Sequence, residues 1–459
     1  MTLSNIFFIT FFLPIAGLIF YVTPKKLRKY ALLAFSIVYT FLSGIYALSC
    51  LIIFSIINYI LIFIMHKNAE KRSLNTVILI ISVIFNILFI PLARYNIFNG
   101  IILNVNFGKQ LIYIGSSFCA LSCIGTAIDV YNNKEKFSFT WIDYVIYVIY
   151  FPKLLFGPIV SYKEFVELLR KPKYSLENIG EAMILIVKGL SKKLLLADNL
   201  YKLFATSVFV FKENNEISML SAWLGAVGFM LCLHFTLSGL TDMAVGVSMF
   251  FGIHLPRSFE KPLIGVGIQG FGENWNAPLN RWFKKYICDT MNIRSKIFEY
   301  ILCILTWGLI GVWYQADLNH MLWGIAIGIA IVMEMIFCKS LVKSLSTAAY
   351  TFFLISVLWV IFMTSDIYQC IYYFKSMFAF GDIIDNHSIF WMKNYIMLIL
   401  ISFVVSSSLL GNLHGKLRKS SFISIMLDIL SPVINIVLLV ICITYMLRGN
   451  VGMTLFGGV

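Results

Sequence analysis

Charge is what this chain has least of. Only 13% of its 459 residues are charged, while 60% are apolar. A water-exposed fold carries roughly 25% charged residues, so this sequence has too little polar surface to cover itself in water. Its mean hydropathy of +0.87 points the same way. Length alone suggests about three soluble domains, but the composition calls for one membrane-embedded domain over 1–459. Acidic residues are scarcer than basic ones, 22 against 36, for a net charge of +14. Such an excess can signal nucleic acid. Here the basic residues fall in short runs between apolar stretches, the placement expected of cytoplasmic loops, so the partner is the lipid bilayer and not nucleic acid.

Other absences narrow the chemistry. The nine cysteines form no CxxC, and Cys119 and Cys123 are the one close pair. At i,i+4 in an apolar run they read as small packed residues rather than a metal or redox site. The six histidines show no metal-ligand spacing, and each taken alone reads as interfacial or packed. There is no P-loop, no GxGxxG after a strand, no HExxH and no GxSxG, which removes the common soluble-enzyme signatures. The first apolar stretch, 6–22, has no preceding basic residue and no A-x-A site. It reads as a retained span.

What is present is a series of apolar stretches near 6–22, 31–47, 51–65, 77–92, 111–130, 219–237, 298–312, 321–337, 348–363, 395–410 and 429–446. Their lengths predict an all-α polytopic bundle of about 11 transmembrane helices. Basic runs at 24–30, 66–72 and 414–419 belong inside, which puts the N-terminus outside. The uncharged stretch 96–108 and the acidic stretch 366–387 agree as outside segments. Two regions break the alternation. The apolar stretch 141–160 holds Lys153, Pro152, Gly157 and Pro158, and the charged segment 161–202 after it also belongs inside. A re-entrant segment resolves that conflict, since irregular backbone at membrane depth is tolerated only around a protein-lined cavity. The second is 238–285, rich in glycine and punctuated by proline. Both lie in the middle third, where chemistry is expected.

Four runs carry that expectation. Phe151-Pro-Lys-Leu-Leu-Phe-Gly-Pro-Ile-Val160 is the first, and Lys188-Gly-Leu-Ser-Lys-Lys-Leu-Leu-Leu-Ala-Asp-Asn-Leu200 is the second. The third starts at Ser238-Gly-Leu-Thr-Asp-Met-Ala and passes through Phe251-Gly-Ile-His-Leu-Pro-Arg-Ser-Phe259. It ends at Phe271-Gly-Glu-Asn-Trp-Asn-Ala-Pro-Leu-Asn-Arg-Trp282. The fourth is Gly311-Val-Trp-Tyr-Gln315 with Leu322-Trp-Gly324. In order and approximate spacing they resemble FPxLxAGPI, KKxxxADNL, SGYSDMAIG, GFxxPxNF, FWRRWHxSLSRW and GLWHG. These belong to the membrane-bound O-acyltransferase (MBOAT) family, in its alginate O-acetyltransferase and teichoic acid D-alanyltransferase branch. The resemblance covers about 118–323, and Leu358-Trp-Val-Ile-Phe-Met363 is similar to the family's GWVFFR.

The resemblance implies a helical bundle around a membrane-traversing tunnel, with re-entrant elements near 151–160 and 238–282. It implies an acyl donor such as acetyl-CoA entering from the cytoplasm, with no tightly bound cofactor and no metal. It also implies an envelope polysaccharide acceptor, reached through an extracytoplasmic partner protein, and a bacterial cytoplasmic membrane as the location. The family's base is a histidine, which suits an imidazole with its pKa near 6.5. This chain departs there. Tyr314 stands at the GLWHG histidine and Gln315 at the glycine after it. Asn276 stands at the FWRRWH histidine, Ile327 at that of WGxLHG, and Met363 at the arginine of GWVFFR. FDFSG becomes Phe235-Thr-Leu-Ser-Gly239.

Asn276 is the milder change, because an amide still hydrogen-bonds a reactant. Tyr314 is the serious one, since a phenol near pKa 10 is a poor base. His320, with Asp317 at i,i+3, is a substitute base. On an ideal helix it lies about 600° and about 9 Å from Tyr314 and faces elsewhere unless the helix breaks, and a helix-end pair is the plainer reading of the two. Asp242, Trp275, Arg281, Trp313 and Asp317 complete the expected substrate and tunnel set. Lys192 and Lys193 suit an anionic donor, but snorkelling at the cytoplasmic face is the commoner use of such a pair. Two functions remain. One is an O-acyltransferase acting on an envelope polysaccharide. The other is a catalytically inactive member serving envelope-glycan assembly by binding, scaffolding or translocation.

Overall fold

The computed structural model describes residues 3–94, 111–132, 139–154, 156–214, 217–259, 267–290, 295–337, 345–364, 366–378, 382–407 and 420–448. The basic run 414–419 and the stretch 96–108 lie outside the described residues. Among the described residues there are helices and turns and no strand, as the apolar spacing predicts. The helices are α1 Leu13–Val22, α2 Arg28–Phe41, α3 Ile45–Lys67, α4 Arg72–Arg94, α5 Leu111–Tyr131, α6 Trp141–Ile149 and α7 Phe151–Leu154. Then come α8 Tyr162–Arg170, α9 Leu176–Ser191, α10 Asp198–Asn214, α11 Met219–Phe250, α12 Ile268–Asn274 and α13 Ala277–Phe283. The last six are α14 Lys296–Tyr314, α15 Leu318–Phe337, α16 Leu345–Met363, α17 Ile367–Met377, α18 Asn386–Ser406 and α19 Ser421–Leu447.

Eight helical stretches among the described residues are long and apolar enough to cross a bilayer, which makes the chain a multi-pass membrane protein. Two shorter apolar helices, Phe8–Val22 and Ala349–Met363, accompany them. Exposure supports the reading. In the α19 span only 6% of the apolar window is buried, and Ile429, Val433, Val437 and Val440 are bare. A patch of that kind is untenable in water and ordinary against lipid.

The structure revises three expectations from the sequence. The stretch 31–47 is not one span: α2 ends at Phe41, and Gly44 turns the chain at φ 138° before α3 begins. That value is open to glycine and rare for other residues. The segment 161–202 is not all a cytoplasmic loop, because Leu176–Phe211 is helical and apolar enough to cross a bilayer. Its charges alternate with buried Ala182, Ile186, Leu190, Ala197, Leu200 and Leu203. Finally, 238–250 is regular helix, the second half of α11, and irregular backbone begins only at Phe251. The stretch 141–160 does break as expected. Nine-residue α6 and four-residue α7 are followed by a turn at Phe156 with φ 104° and a buried run without regular structure to Val160.

The chain divides into two compact units. The first comprises Met1–Ile186 and Leu240–Arg257. In it α3 and α4 are joined by Asn86 Nδ2 donating to Asn58 Oδ1 at 2.7 Å, a buried amide pair of the kind that fixes helices in lipid. Cys119 and Cys123 are fully buried there. Cys119 Sγ donates to the Val148 carbonyl (3.3 Å) and Cys123 Sγ accepts from the Tyr144 hydroxyl (3.3 Å), so both pack α5 against α6. Lys153 Nζ is buried over the Tyr147 ring, 3.5 Å from its centroid, a favourable cation–π geometry.

The second unit comprises Val187–Gly239 and Ser258–Val459. The start of α11 is fastened by Asp385, the N-cap of α18. Its Oδ1 accepts from Ser218 (2.8 Å), Ser221 (3.1 Å) and the Ser388 backbone (2.7 Å). Partial burial pushes that carboxyl up, but these donors outweigh it and hold the group below the usual carboxylate range. α14 and α15 form a tight hairpin across Gln315–Asp317. A methyl group on Gly311 would collide with the His320 carbonyl, and one on Gly324 with the Trp307 carbonyl. Backbones approach this closely only over small residues. We expect Gly311→Ala to cost about 1–3 kcal/mol by overpacking, read as a lower midpoint of heat-induced aggregation in detergent. An unchanged midpoint would show that the hairpin spreads without cost.

Candidate active site

Two short helices carry the first half of the site. Glu334, on α15, accepts from the backbone N–H of Ile268 at 2.6 Å and so caps α12. The chain then turns at Trp275 and Asn276. Asn276 sits in the left-handed region (φ 49°, ψ 51°), a conformation asparagine tolerates better than most residues. Its C-terminal neighbour Ala277 donates to the Ser258 carbonyl at 3.0 Å. Asn280 braces the turn, donating from its amide to the carbonyls of Gly272 (2.7 Å) and Trp275. The motif residues around Asn276 therefore hold a loop in one shape.

The second half is the end of α14. Tyr314, the last residue of that helix, is buried. Its hydroxyl oxygen accepts from Trp275 Nε1 at 3.2 Å and from Asn276 Nδ2 at 3.4 Å. The two positions where the resemblance expects histidines thus meet, 38 residues apart in sequence. Trp313 stands edge-on to Tyr314 at 5.2 Å between ring centroids.

An aromatic wall surrounds them. Trp323 lies 5.9 Å from Tyr314 and 4.7 Å from Trp359, and Trp359 lies 5.2 Å from Trp275. Phe362 touches Tyr314 (5.8 Å), Trp323 (5.0 Å) and His320 (4.1 Å). Trp359 and Phe362 come from the run at 358–363, so that run lines the site. The indole N–H groups of Trp323 and Trp359 are buried without a hydrogen-bond partner among the described residues. Each such orphan costs about 1–3 kcal/mol unless a bound polar group meets it.

His320 does reach this wall, because the chain breaks at Gln315–Asp317 and does not continue as one helix. It is buried, and Asp317 holds its Nδ1 at 2.7 Å and its backbone N–H at 2.8 Å. Asp317 is thus the N-cap of α15 as well as the imidazole's partner. Arg281 is exposed on α13, and Asp242 is half-buried on α11 among the residues of the first unit. Lys193 does not snorkel: it is buried and paired with buried Asp198. Lys192 beside it is half-buried.

One residue of the cluster escapes sequence reasoning. His234, on α11, is 5% exposed and packs among Phe235, Phe259 and Trp275, with ring centroids at 5.1, 5.8 and 5.9 Å. The available signal is a lone ionisable residue within an apolar span. Three or more metal-ligating side chains do not cluster anywhere among the described residues.

Comparison with known proteins bears on the same stretch. Residues 133–375 match the family model of the membrane-bound O-acyltransferases. A probable alginate O-acetylase of Pseudomonas syringae pv. tomato is 29% identical over 277 residues, 59% of this chain and 53% of that protein. A peptidoglycan O-acetyltransferase of Helicobacter pylori is 29% identical over 248 residues, 52% of this chain and 46% of that protein. A teichoic acid D-alanyltransferase of Bacillus subtilis is 28% identical over 199 residues, 39% of this chain and 48% of that protein. The chain spans about half the length of the first of these relatives.

Proposed function

We propose that this chain, which belongs to the membrane-bound O-acyltransferase family, transfers an acyl group, most simply acetyl, to a cell-envelope polysaccharide. The donor is an acyl thioester such as acetyl-CoA. The observation that carries the reading is the meeting of Trp275, Asn276 and Tyr314 inside the matched segment. Tyr314 and Asn276 stand where the resemblance places histidines, and a hydrogen bond joins them. Acyl transfer needs a donor to the carbonyl oxygen as negative charge develops there. Tyr314 fits that role, because its oxygen accepts from two N–H groups and its own hydrogen is the one it gives. Asn276 orients the phenol. The proton acceptor the reaction needs is an imidazole, and two reach the cluster: His320 by way of Phe362 and His234 by way of Trp275. Lys192 beside the buried Lys193–Asp198 pair suits an anionic donor.

The names of the relatives, alginate O-acetylase and peptidoglycan O-acetyltransferase, support a glycan acceptor. A bacterial cytoplasmic membrane and an extracytoplasmic partner that carries the acyl group onward fit the same reading. The test compares base-labile ester in envelope glycans from cells with and without the gene, with membrane abundance checked. Ester that does not depend on the gene would leave the second reading, an inactive member acting as a binding, scaffold or translocation component. The observation favouring that reading is the tyrosine and asparagine at 314 and 276.

Orientation follows from the basic runs. Reporter fusions at Lys67, which ends α3, and at Lys416 are expected to report cytoplasm, and one at Asn386, which opens α18, the outside. A cytoplasmic Asn386 would invert or break this topology.

A further inference from the structure

The buried surroundings of His234 point beyond the motif positions. We propose that His234 is the base that takes the proton from the acceptor hydroxyl, replacing the histidine absent at 314. The assignment rests on the acyl-transfer reading above.

Three observations carry it. First, the imidazole lies against Trp275, whose N–H is bonded to the Tyr314 oxygen, so His234 and Tyr314 flank one indole. Second, His234 is 5% exposed, and its Nδ1 is buried with no hydrogen-bond partner among the described residues. A purely structural histidine of that burial would have its ring nitrogens satisfied. Third, the same aromatic cluster holds the orphan N–H groups of Trp323 and Trp359. An acceptor nitrogen and two donors, all buried in rings and lacking partners, match what an acylation site supplies: one atom to receive a proton and N–H groups for a carbonyl oxygen.

His320 is the competitor, and its geometry is different. Its Nδ1 is already engaged by Asp317, whose side chain is 38% exposed, and that carboxylate also caps α15. The pair has a structural duty that His234 lacks.

The step balances as follows. The acceptor hydroxyl gives its proton to Nδ1 of neutral His234, and its oxygen forms a bond to the acyl carbon. The carbonyl electrons move onto oxygen, where the phenol hydrogen of Tyr314 meets them. On collapse the carbon–sulfur bond breaks, its electron pair leaves with sulfur, and the thiolate takes the proton from the imidazolium. The products are an ester and a thiol, with no change of oxidation state.

The experiment uses the full chain, purified in detergent, with acetyl-CoA as probe and thiol release as readout. Envelope ester is measured in cells in parallel. His234→Gln keeps a polar side chain of similar reach without a titrating nitrogen. It is expected to lower kcat about 10²-fold or more, with KM for acetyl-CoA nearly unchanged. Exposed His387→Gln serves as the control and is expected to leave the rate unchanged. Abundance and heat-induced aggregation are read for each variant. Should His234→Gln be unstable, His234→Ala is assayed with added imidazole, which is expected to restore part of the rate. A folded His234→Gln that turns over like the parent overturns the assignment, as does a loss confined to His320→Gln. Failure of the underlying reading looks different, for then the parent chain itself shows neither thiol release nor gene-dependent ester.

Discussion

Phenylalanine at 314 is expected to lower gene-dependent acyl transfer by about 10²–10³-fold, the scale for removing one donor to a developing oxyanion. The substitution removes a single oxygen. The ring contacts with Trp313, Trp323 and Phe362 remain available to phenylalanine. What disappears is the atom that receives Trp275 Nε1 and Asn276 Nδ2. Buried Trp275 Nε1 then lacks an acceptor, at about 1–3 kcal/mol, and half-buried Asn276 loses its partner too, so detergent stability has to be measured beside the rate. A variant that folds and transfers at the parent rate would remove Tyr314 from the chemistry. A variant that folds and fails only in rate would support the phenol as the carbonyl's donor. The distinction is sharp because Phe keeps shape and hydrophobic contact while removing only the hydroxyl and the hydrogen bonds it makes.

The frame of this site was legible because its residues lie in ordered motifs. Trp275, Asn276, Tyr314 and Trp313 follow from the motif resemblance, and they do meet. The run at 358–363 was legible as a family likeness, but its lining role needed the fold. On a continuous helix His320 would face away from Tyr314. The chain instead breaks at Gln315–Asp317, and the same break makes Asp317 a helix cap. His234 was hidden for a different reason. A single histidine in an apolar run has no partner at any fixed spacing, and its neighbour Trp275 lies 41 positions away. Contacts at that separation are set by helix packing and leave no local pattern. Arg281 shows the converse, since a motif match fixes identity and not burial, and this side chain is exposed. Spans were legible where apolar residues were contiguous. Leu176–Phe211 is hard to see in sequence because its charges are interspersed with the residues of a buried face.

Truncating Asp198 is expected to cost about 3–5 kcal/mol, the scale for stranding a buried charge. Lys193 and Asp198 are each under 10% exposed and are paired within the second unit. Their spacing of five is informative. On an α-helix, residues five apart are about 140° out of alignment, so a regular helix would not bring them together. Here Lys192–Ala197 is a π-helical turn, and Asp198 donates its backbone N–H to the Lys193 carbonyl. An i→i+5 turn of this kind brings residues five apart to one face. The ion pair and the widened turn therefore support each other, in the run that resembles KKxxxADNL. Asp198→Ala should leave the Lys193 ammonium buried and uncompensated, with little monodisperse protein recovered in detergent. Asp198→Asn keeps one acceptor oxygen and should be milder. The paired replacement Lys193→Met with Asp198→Leu removes both charges, and such swaps are commonly neutral or stabilising. Recovery of folded protein by the pair, compared with Asp198→Ala alone, is the expected result. If Asp198→Ala is as stable as the parent, the two groups are reached by water and the pair holds nothing. If the double variant folds and still transfers acetyl, the pair serves the turn. If it folds and is inactive, the positive charge of Lys193 acts on the anionic donor, which its burial beside half-buried Lys192 is placed to do.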